Sequence, residues 1–471
     1  MATAPAGRTV GLVQLDAVAG DATLSPRTRR LLEGPVAPTL LRLAAPNVLV
    51  MVLQATVSTL DAVFVGWLGS DALAGVALVF PLVMLMQTMS AGGMGGGVAS
   101  AVARALGGGR RADADALVAH ACVIALVMAA CFTLLLGVGG PAVYHAMGGR
   151  GAALEAAVLY SRVVFGGALA YWLFNTLGSV VRGTGNMAVP ALVMVGSSAL
   201  YIALAPALIL GWGPFPRLGI AGAATASVAS FAAGTLVLLA FLFSRHSLVR
   251  PAVRGVRLRP PLFREILRVG APGALNTILT NLTVILLTAL VGPFGGAALA
   301  GYGLGARLEY LQIPIVFGLG SALVTMVGTS VGAGDRARAL RVAWAGTAMA
   351  AAVTATIGLL AALFPQAWLG LFTTDPDVLA AGTRYLRIVG PFYGFFGMGL
   401  ALYFASQGAG RLLWPLVAGF TRLVIASVGG WLVTRALGGG LTGLFAAMSV
   451  AVVIYGVLNV AAVRLGAWRS R

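Results

Sequence analysis

The sequence of 471 residues contains no lysine and few charged residues of any kind. Charged residues make up 9% of the chain, whereas soluble domains contain about 25%. This scarcity excludes a soluble globular enzyme and a charged disordered protein. The absence of lysine excludes a Walker A phosphate loop and a lysine Schiff base, since both chemistries use that residue. We therefore expect neither ATP-driven transport by this chain nor enzymatic activity.

Residues that bind metals are equally sparse. The only two cysteines, Cys122 and Cys131, lie nine residues apart in one apolar stretch, where we expect them to be small buried residues rather than a disulfide or a metal site. The three histidines, His120, His145 and His246, are too widely separated for a metal motif. No metal and no cofactor is expected.

Long hydrophobic runs dominate what is present, since 59% of the residues are hydrophobic. A membrane-spanning helix needs about 20 such residues. The runs are too continuous for barrel strands, which alternate apolar and polar residues. The sequence therefore predicts an all-α integral membrane protein with twelve transmembrane helices, at residues 39–66, 72–98, 116–140, 154–180, 188–211, 218–243, 265–292, 297–330, 340–363, 381–405, 413–435 and 440–463.

The distribution of arginine predicts the orientation in the membrane. All 31 basic residues are arginine, and the net charge is +18. With the N-terminus inside, 23 arginines lie in inside segments and four in outside loops, in accord with the positive-inside rule. We expect a multi-pass protein of the bacterial cytoplasmic (inner) membrane with both termini cytoplasmic. Because the arginines cluster at the ends of apolar runs, contact with membrane lipid is expected and nucleic-acid binding is not.

The predicted helices fall into two halves. Residues 1–38 form a cytoplasmic N-terminal tail, residues 39–243 an N-lobe with helices 1–6, residues 244–264 an arginine-rich cytoplasmic linker, residues 265–465 a C-lobe with helices 7–12, and residues 466–471 a C-terminal tail. Six spans in each half make both lobes enter from the same side.

Short matches between the halves occur at a nearly constant offset. Residues 41–46 resemble residues 267–272 and residues 72–75 repeat as 298–301, both at an offset of 226. Residues 182–185 resemble residues 407–410 at an offset of 225. This pattern predicts two parallel six-helix bundles related by a pseudo-two-fold axis along the membrane normal, a design suited to alternating access. A channel is less favoured, because no repeated filter motif or ring of charge is visible.

The glycine-rich segment at residues 92–97 superficially resembles a phosphate-binding loop. It follows no predicted strand and ends an apolar span. Close packing of helices, or a bend, is the favoured interpretation.

Two acidic residues lie deep in predicted spans, Asp61 and Glu309. A charge at mid-membrane costs about 2.5–3.5 kcal/mol on insertion scales, so such residues usually serve a function. Gln54, Ser58 and Asp61 share one helical face and predict a wet cavity in the first half. Low-dielectric surroundings disfavour the charged carboxylate, so we expect Asp61 to bind and release the coupling ion, a proton. The equivalent position in the second half is Leu287.

Glu309 has two interpretations. Arg307 lies two residues before it and cannot face it on a helix, so we expect each to pair with a different helix. A structural ion pair is favoured over a second cation or substrate site. Asn276, Thr280 and Thr283 form another polar face that could line the same cleft as Asp61.

Several segments together resemble multidrug and toxic compound extrusion (MATE) transporters, and the bacterial DinF-like branch in particular. They are residues 61–66, 72–75, 80–81, 182–186, 219–224 and 332–334. The resemblance covers residues 39–465 and implies a two-lobe, cation-driven exporter of amphipathic, often cationic, organic compounds.

The resemblance also implies site residues. The family's first-helix acid and its preceding glutamine match Asp61 and Gln54. The family's fifth-helix Asn-x-x-x-Asp-Pro is replaced here, with Tyr201 and Ala205 at the Asn and Asp positions. Thr225 or Ser227 supplies a hydroxyl on the sixth helix, and Ser227 and Asn175 complete the predicted lining. The loss of two oxygen ligands disfavours sodium and leaves a protonatable Asp61.

The leading hypothesis is therefore a monomeric, proton-coupled antiporter that exports small organic cations or amphipathic drugs by alternating access. Coupling to Na+ is an alternative. Another is a flippase for lipid-linked precursors, although deep arginines are few.

Overall fold

The computed structural model describes residues 24–251 and 257–468, and this part of the chain is helical, with no strand. The α-helices are numbered in chain order. They are α1 Pro26–Glu33, α2 Val36–Gly66, α3 Ser70–Thr88, α4 Gly95–Gly107, α5 Arg111–Phe132, α6 Gly140–Ala146, α7 Gly151–Gly166, α8 Ala168–Gly183, α9 Ala188–Leu210, α10 Ile220–Phe243, α11 Pro260–Val291, α12 Gly296–Gly332, α13 Arg336–Leu363, α14 Pro365–Leu369, α15 Pro376–Val389, α16 Tyr393–Ala409, α17 Leu413–Val424, α18 Gly430–Arg435 and α19 Gly440–Arg464.

These helices make up the twelve crossings that the apolar runs predict. Ten helical units in the described ranges are long and apolar enough to cross a membrane. Helices α7 and α8 meet at a bend of 46° and form an eleventh. Helix α2 has 31 residues and is therefore about 46 Å long, which supplies the twelfth.

The second crossing is the one whose predicted end differs most from the structure. Its helix was expected to end at residue 98, directly after the glycine-rich segment, but it continues to Gly107 through the π-helical turn Met89–Met94. The continuation is possible because these glycines pack against other helices. As expected for the glycine-rich segment, it serves close helix packing rather than a loop.

The helices form two bundles. Each bundle has a hydrophobic core of its own, and both bundles contribute to a third core. One core joins buried residues of α2–α10 and the start of α11. Another lies between α11, α12, α15 and α19. The third core contains Leu40 and Ala99 of the first bundle and Leu323, Val327 and other residues of the second, so it holds the bundles together.

The bundles meet through glycine backbones at one end, called here the Arg-rich end because Arg104, Arg411 and Arg464 lie there. A Cβ atom placed on Gly97 would lie 2.7 Å from the backbone nitrogen of Gly270. No side chain fits at that distance, so the two helices touch along their backbones.

Polar bonds reinforce the same contact. The Gln407 Nε2 atom donates to the Gly92 carbonyl oxygen over 2.9 Å, and the Ser100 hydroxyl donates to the Gln407 carbonyl oxygen over 2.5 Å. The Thr325 hydroxyl donates to the Arg182 carbonyl oxygen over 3.0 Å. Each bond joins one bundle to the other, and hydrogen bonds between helices of this kind help to fix how two helices pack in a membrane.

The predicted N-terminal tail is partly helical. Its residues 1–23 lie outside the described part of the chain, but Pro26–Glu33 form α1, capped by Ser25. The Arg338 guanidinium donates to the carbonyl oxygens of Leu31 and Gly34, over 2.9 and 2.6 Å. These bonds fix α1 against the second bundle.

The glycine contact provides a first test. We expect Gly97→Ala to force α4 and α11 apart, because the added methyl group meets backbone atoms. The variant should unfold several degrees lower than the wild type, and cysteine pairs across the Arg-rich end should cross-link less readily.

Gly303→Ala is the matched control, since a Cβ atom on Gly303 meets nothing within 4 Å. Unchanged cross-linking in Gly97→Ala, or an equal effect of Gly303→Ala, would contradict a closed contact at this point.

Candidate functional site

Asp61 lies in the last third of α2 and faces α9. The Tyr201 hydroxyl donates a hydrogen bond to Asp61 Oδ1. Tyr201 itself is buried in the core of the first bundle, whereas Asp61 is partly exposed. Its carboxyl group is therefore held by a packed side chain and remains open to a cavity.

That cavity has a volume of about 330 Å³. Of the described residues that line it, Asp61 alone is charged. Pro314 of α12 contributes to the lining, so the cavity reaches the second bundle. The other lining residues are Met51, Gln54, Val57, Val76, Phe80, Val83, Met84, Gln87, Tyr160, Tyr171, Met194, Ser197, Ser198, Tyr201, Ser227, Ser230 and Phe231.

One wall of this cavity is aromatic. The Tyr171 and Phe231 rings lie 4.3 Å apart between centroids, and the Tyr171 and Ser227 hydroxyls share a hydrogen bond of 2.6 Å. Aromatic faces beside a carboxylate suit an organic cation. Neither Tyr171 nor Phe231 was predicted from the sequence, although Phe231 follows Ser227 by four residues on the same helical face.

The structure brings together most of the predicted first-half residues. Gln54, Tyr201 and Ser227 line the Asp61 cavity. Asn175 does not, because it is buried and its Nδ2 atom donates to the Ser90 hydroxyl over 2.9 Å. The side chain of Ser58 lies outside the described part of the structure.

Glu309 belongs to a second site. Its Oε1 atom lies 3.2 Å from Nη2 of Arg422 on α17, and Oε2 accepts a hydrogen bond of 3.4 Å from Tyr385. The Arg422 guanidinium lies 5.2 Å from the Phe396 ring centroid and 5.7 Å from that of Tyr455. The acid thus pairs with a different helix, as the spacing predicted.

The remaining predicted residues require a correction. Asn276 and Thr280 line a separate small cavity beside Arg422 and do not share the cleft of Asp61. They lie in the second bundle, where the polar face of α11 lines this small cavity together with Gly419, Arg422 and Tyr455. Arg307 is exposed, and its guanidinium lies 5.8 Å from the Phe372 ring centroid.

The cavity of Glu309 is the repeat counterpart of the cavity of Asp61. Corresponding positions at an offset of 226 line both, and the pairs are Gln54 and Thr280, Val57 and Thr283, Asp61 and Leu287, Val76 and Tyr302, Phe80 and Ala306, and Val83 and Glu309. At an offset of 225 the pairs are Tyr171 and Phe396, Ser197 and Arg422, Tyr201 and Ala426, and Ser227 and Val452.

The two cavities differ in what fills them. The second has a volume of about 50 Å³, compared with about 330 Å³ for the first. Arg422 lies where the first bundle has Ser197, and its guanidinium rests between aromatic rings and a carboxylate. The chain's own cation therefore occupies the second cavity, whereas the first is open.

The repeat reappears in the comparison with known families. A model of the MatE family matches residues 46–207 and again residues 272–432, together more than half of the chain. The chain belongs to the MatE family. Its members are membrane transporters, so this chain is a multi-span membrane transporter and not an enzyme. The predicted assignment to this family is confirmed, while the DinF-like branch stays a prediction.

Curated relatives match over nearly the whole chain. A protein of Thermotoga maritima named "Probable multidrug resistance protein NorM" is 27% identical over 92% of this chain and 93% of its own length. A "FAD transporter" of Shewanella oneidensis is 26% identical over 91% of this chain and 94% of its own. "Probable multidrug resistance protein YoeA" of Bacillus subtilis is 29% identical over 79% and 81%.

Solved structures show the same fold. A MATE crystal structure in a bent conformation superimposes with a TM-score of 0.87 over 94% of this chain and 98% of that chain, at 24% identity. A transporter of the MOP superfamily from Pyrococcus furiosus superimposes with a TM-score of 0.86 over 95% of this chain and 100% of that chain, also at 24% identity. The prediction of an all-α fold with two six-helix bundles is confirmed.

The repeat relation generates a test of the second cavity. We expect Arg422→Ser, which introduces the residue found at Ser197, to leave Glu309 uncompensated and open to a foreign cation. Made in an Asp61→Asn background, it should bind tetramethylammonium, a cation about the size of the group removed, about tenfold more tightly than Asp61→Asn alone. Equilibrium dialysis in detergent measures this.

Two variants control the experiment. Arg307→Ser removes an arginine of α12 that does not touch Glu309, and it should change nothing. Adding Glu309→Gln to the Arg422→Ser protein should abolish the new binding and relieve the uncompensated buried charge. A folded Arg422→Ser protein that binds no cation would show that the cavity closes when the arginine is removed.

Proposed function

We propose that this transporter exports amphipathic and cationic organic compounds in exchange for protons, by alternating access. The observation that carries the proposal is the carboxyl of Asp61, which is the one charged group among the described residues that line an aromatic- and methionine-rich cavity of about 330 Å³. Methionine side chains adapt to ligands of different shape, as a multidrug site requires. Relatives named as multidrug resistance proteins support the same substrate class.

The proposal includes an orientation. Placing the Arg-rich end in the cytoplasm satisfies the positive-inside rule, and the bacterial source of the relatives accords with a bacterial cytoplasmic membrane. The bundles are then closed on the cytoplasmic side through Gly97, Gly270 and Gln407. The arrangement corresponds to an outward-facing state, in which substrate would leave and a proton would enter.

The coupling step depends on one carboxyl. As a carboxylate, Asp61 pairs with a cationic substrate beside the Tyr171 and Phe231 rings. A proton taken up from outside neutralises Asp61 and removes the charge that held the substrate. The Tyr201 hydroxyl then positions the carboxyl group, and release of the proton to the cytoplasm restores the binding state.

Sodium coupling is the competing mechanism. The Tyr201 hydroxyl already occupies one oxygen of Asp61. Ala205, at the position where the family resemblance implies an acid, offers no side-chain oxygen. Serine hydroxyls in the lining could still contribute ligands, so the experiment below includes a sodium arm.

An anionic substrate fits this cavity less well. FAD, named for one relative, carries a pyrophosphate, and lipid-linked precursors carry one as well. No arginine or histidine is among the described residues that line the Asp61 cavity. Electrostatic complementarity therefore favours a cationic or neutral substrate.

Asp61→Asn tests the coupling step. We measure the uptake of a fluorescent organic cation into vesicles, driven by a pH gradient. The rate of uptake should fall at least about tenfold below that of the wild type, because a charge-assisted contact is lost. Glu309→Gln combined with Arg422→Gln is the matched control, since it removes the acid of the second bundle together with its charged partner, and it should retain proton-driven transport.

The sodium arm imposes a sodium gradient at constant pH. Transport that follows this gradient would move the coupling site away from Asp61. So would transport that survives in Asp61→Asn and fails only in the double variant of Glu309 and Arg422.

Tyr201→Phe tests the positioning role of the hydroxyl. The hydrogen bond favours the charged carboxylate, so its loss should let Asp61 take up a proton more readily. We expect cation binding to be lost at a higher pH than in the wild type, while maximal binding changes little. A pH titration of tetraphenylphosphonium binding measures this.

Tyr144→Phe is the control, because the Tyr144 hydroxyl donates to Ser161 in the same bundle and does not line the cavity. An unshifted pH profile in Tyr201→Phe, or an equal shift in Tyr144→Phe, would remove Tyr201 from the coupling mechanism.

A further inference from the structure

A second large cavity lies at the Arg-rich end, away from Asp61. Its volume is about 1320 Å³, above the range of about 300–1,000 Å³ typical of ligand pockets. The charged residues of its described lining are one acid and six arginines, namely Glu265, Arg104, Arg264, Arg268, Arg336, Arg411 and Arg464. A cavity with this charge attracts anions.

The arginines come from five separate segments of the chain. Arg104 ends α4, Arg264 and Arg268 lie on α11, and the others come from the start of α13, the turn after α16 and the end of α19. The positive-inside rule accounts for arginine at each of these ends. It requires only that they lie on one side of the membrane and does not explain their convergence on one cavity.

The charge of this cavity is only slightly compensated. The carboxylate of Glu265 lies 3.7 Å from Arg104 and is shared with Arg110, at 3.6 Å. The side chains of Arg264, Arg268 and Arg411 have no ion pair or hydrogen bond with any described residue. Guanidinium groups in this state are available to a ligand.

We propose that this cavity binds a phosphate-bearing anion. The planar guanidinium group forms paired hydrogen bonds with phosphate oxygens, and several arginines around one space suit a ligand with more than one negative charge. The headgroup of an anionic membrane lipid and a soluble organic phosphate share this chemistry. The proposal depends neither on Asp61 nor on the direction of transport.

Binding would also affect the conformation of the transporter. Arg104 belongs to the first bundle, whereas the other lining arginines belong to the second. An anion that contacts both bundles binds the arrangement closed at this end more tightly than an open one. It therefore shifts the population toward the closed arrangement.

The test uses the full chain, delipidated in an uncharged detergent at low ionic strength. The probes are inorganic pyrophosphate and short-chain phosphatidylglycerol, with short-chain phosphatidylcholine as the neutral control. The readout is the apparent Kd from thermal-shift titration. We expect saturable binding of at least one anionic probe and none of the neutral lipid.

Variants locate the site. Arg264→Gln with Arg411→Gln should weaken binding at least about tenfold, the loss expected for even one charge-assisted contact. Arg245→Gln with Arg250→Gln removes the same charge outside this cavity and should leave the Kd unchanged. If the first double variant unfolds, each single variant is measured instead, with a smaller loss expected.

The outcomes separate the sources. Saturation by pyrophosphate alone would indicate that the natural ligand is a soluble phosphate. Saturation by phosphatidylglycerol alone would indicate a lipid headgroup. If the two probes compete with each other, they bind one shared site. The absence of saturable anion binding would overturn the proposal. Equal weakening of anion binding in both double variants would also overturn it, because the effect would then come from net charge and not from this cavity.

Discussion

The approach of glycine backbones at the Arg-rich end is the constraint on which the rest of the structure depends. Inside a membrane, apolar side chains gain little by leaving lipid for another helix, so association relies on short-range packing and on polar bonds. Gly97 against Gly270 supplies the packing, and Gln407 supplies polar bonds across the same contact. The bundles are joined there, and the cavity of Asp61 remains accessible within the first bundle, with Pro314 as its contact with the second.

The internal duplication accounts for a cavity at equivalent positions in each bundle, and the sequence differences between the two halves account for the different chemistry of the two cavities. The same positions line a cavity in each bundle, yet the acid lies on α2 in the first and on α12 in the second. A buried acid needs a partner. Glu309 is paired with Arg422, whereas Asp61 accepts a hydrogen bond from the neutral Tyr201 hydroxyl and has no cation among the described residues that line its cavity, which leaves it able to exchange partners.

The helices could be predicted from the sequence because the length of an apolar run is a local property. The extension of the second crossing to Gly107 was missed, since a glycine run looks like a terminator until its packing partners are known. The pairing of Glu309 with Arg422 spans 113 residues, and the aromatic wall formed by Tyr171 depends on helix rotation. The convergence of Arg264 and Arg411 likewise depends on how distant helix ends meet. None of these can be read from a local pattern.

The asymmetry between the bundles has a consequence for the proposed mechanism. An ion pair such as Glu309 with Arg422 carries no net charge, and neither partner can be removed cheaply from the other in a low dielectric. In the proposed mechanism this ion pair keeps the charge of the second cavity constant through the cycle. The response to a proton then begins in the first bundle, at Asp61, and reaches the second bundle through the glycine contact that joins them. The glycines permit close contact, while Arg422 keeps the second cavity neutral.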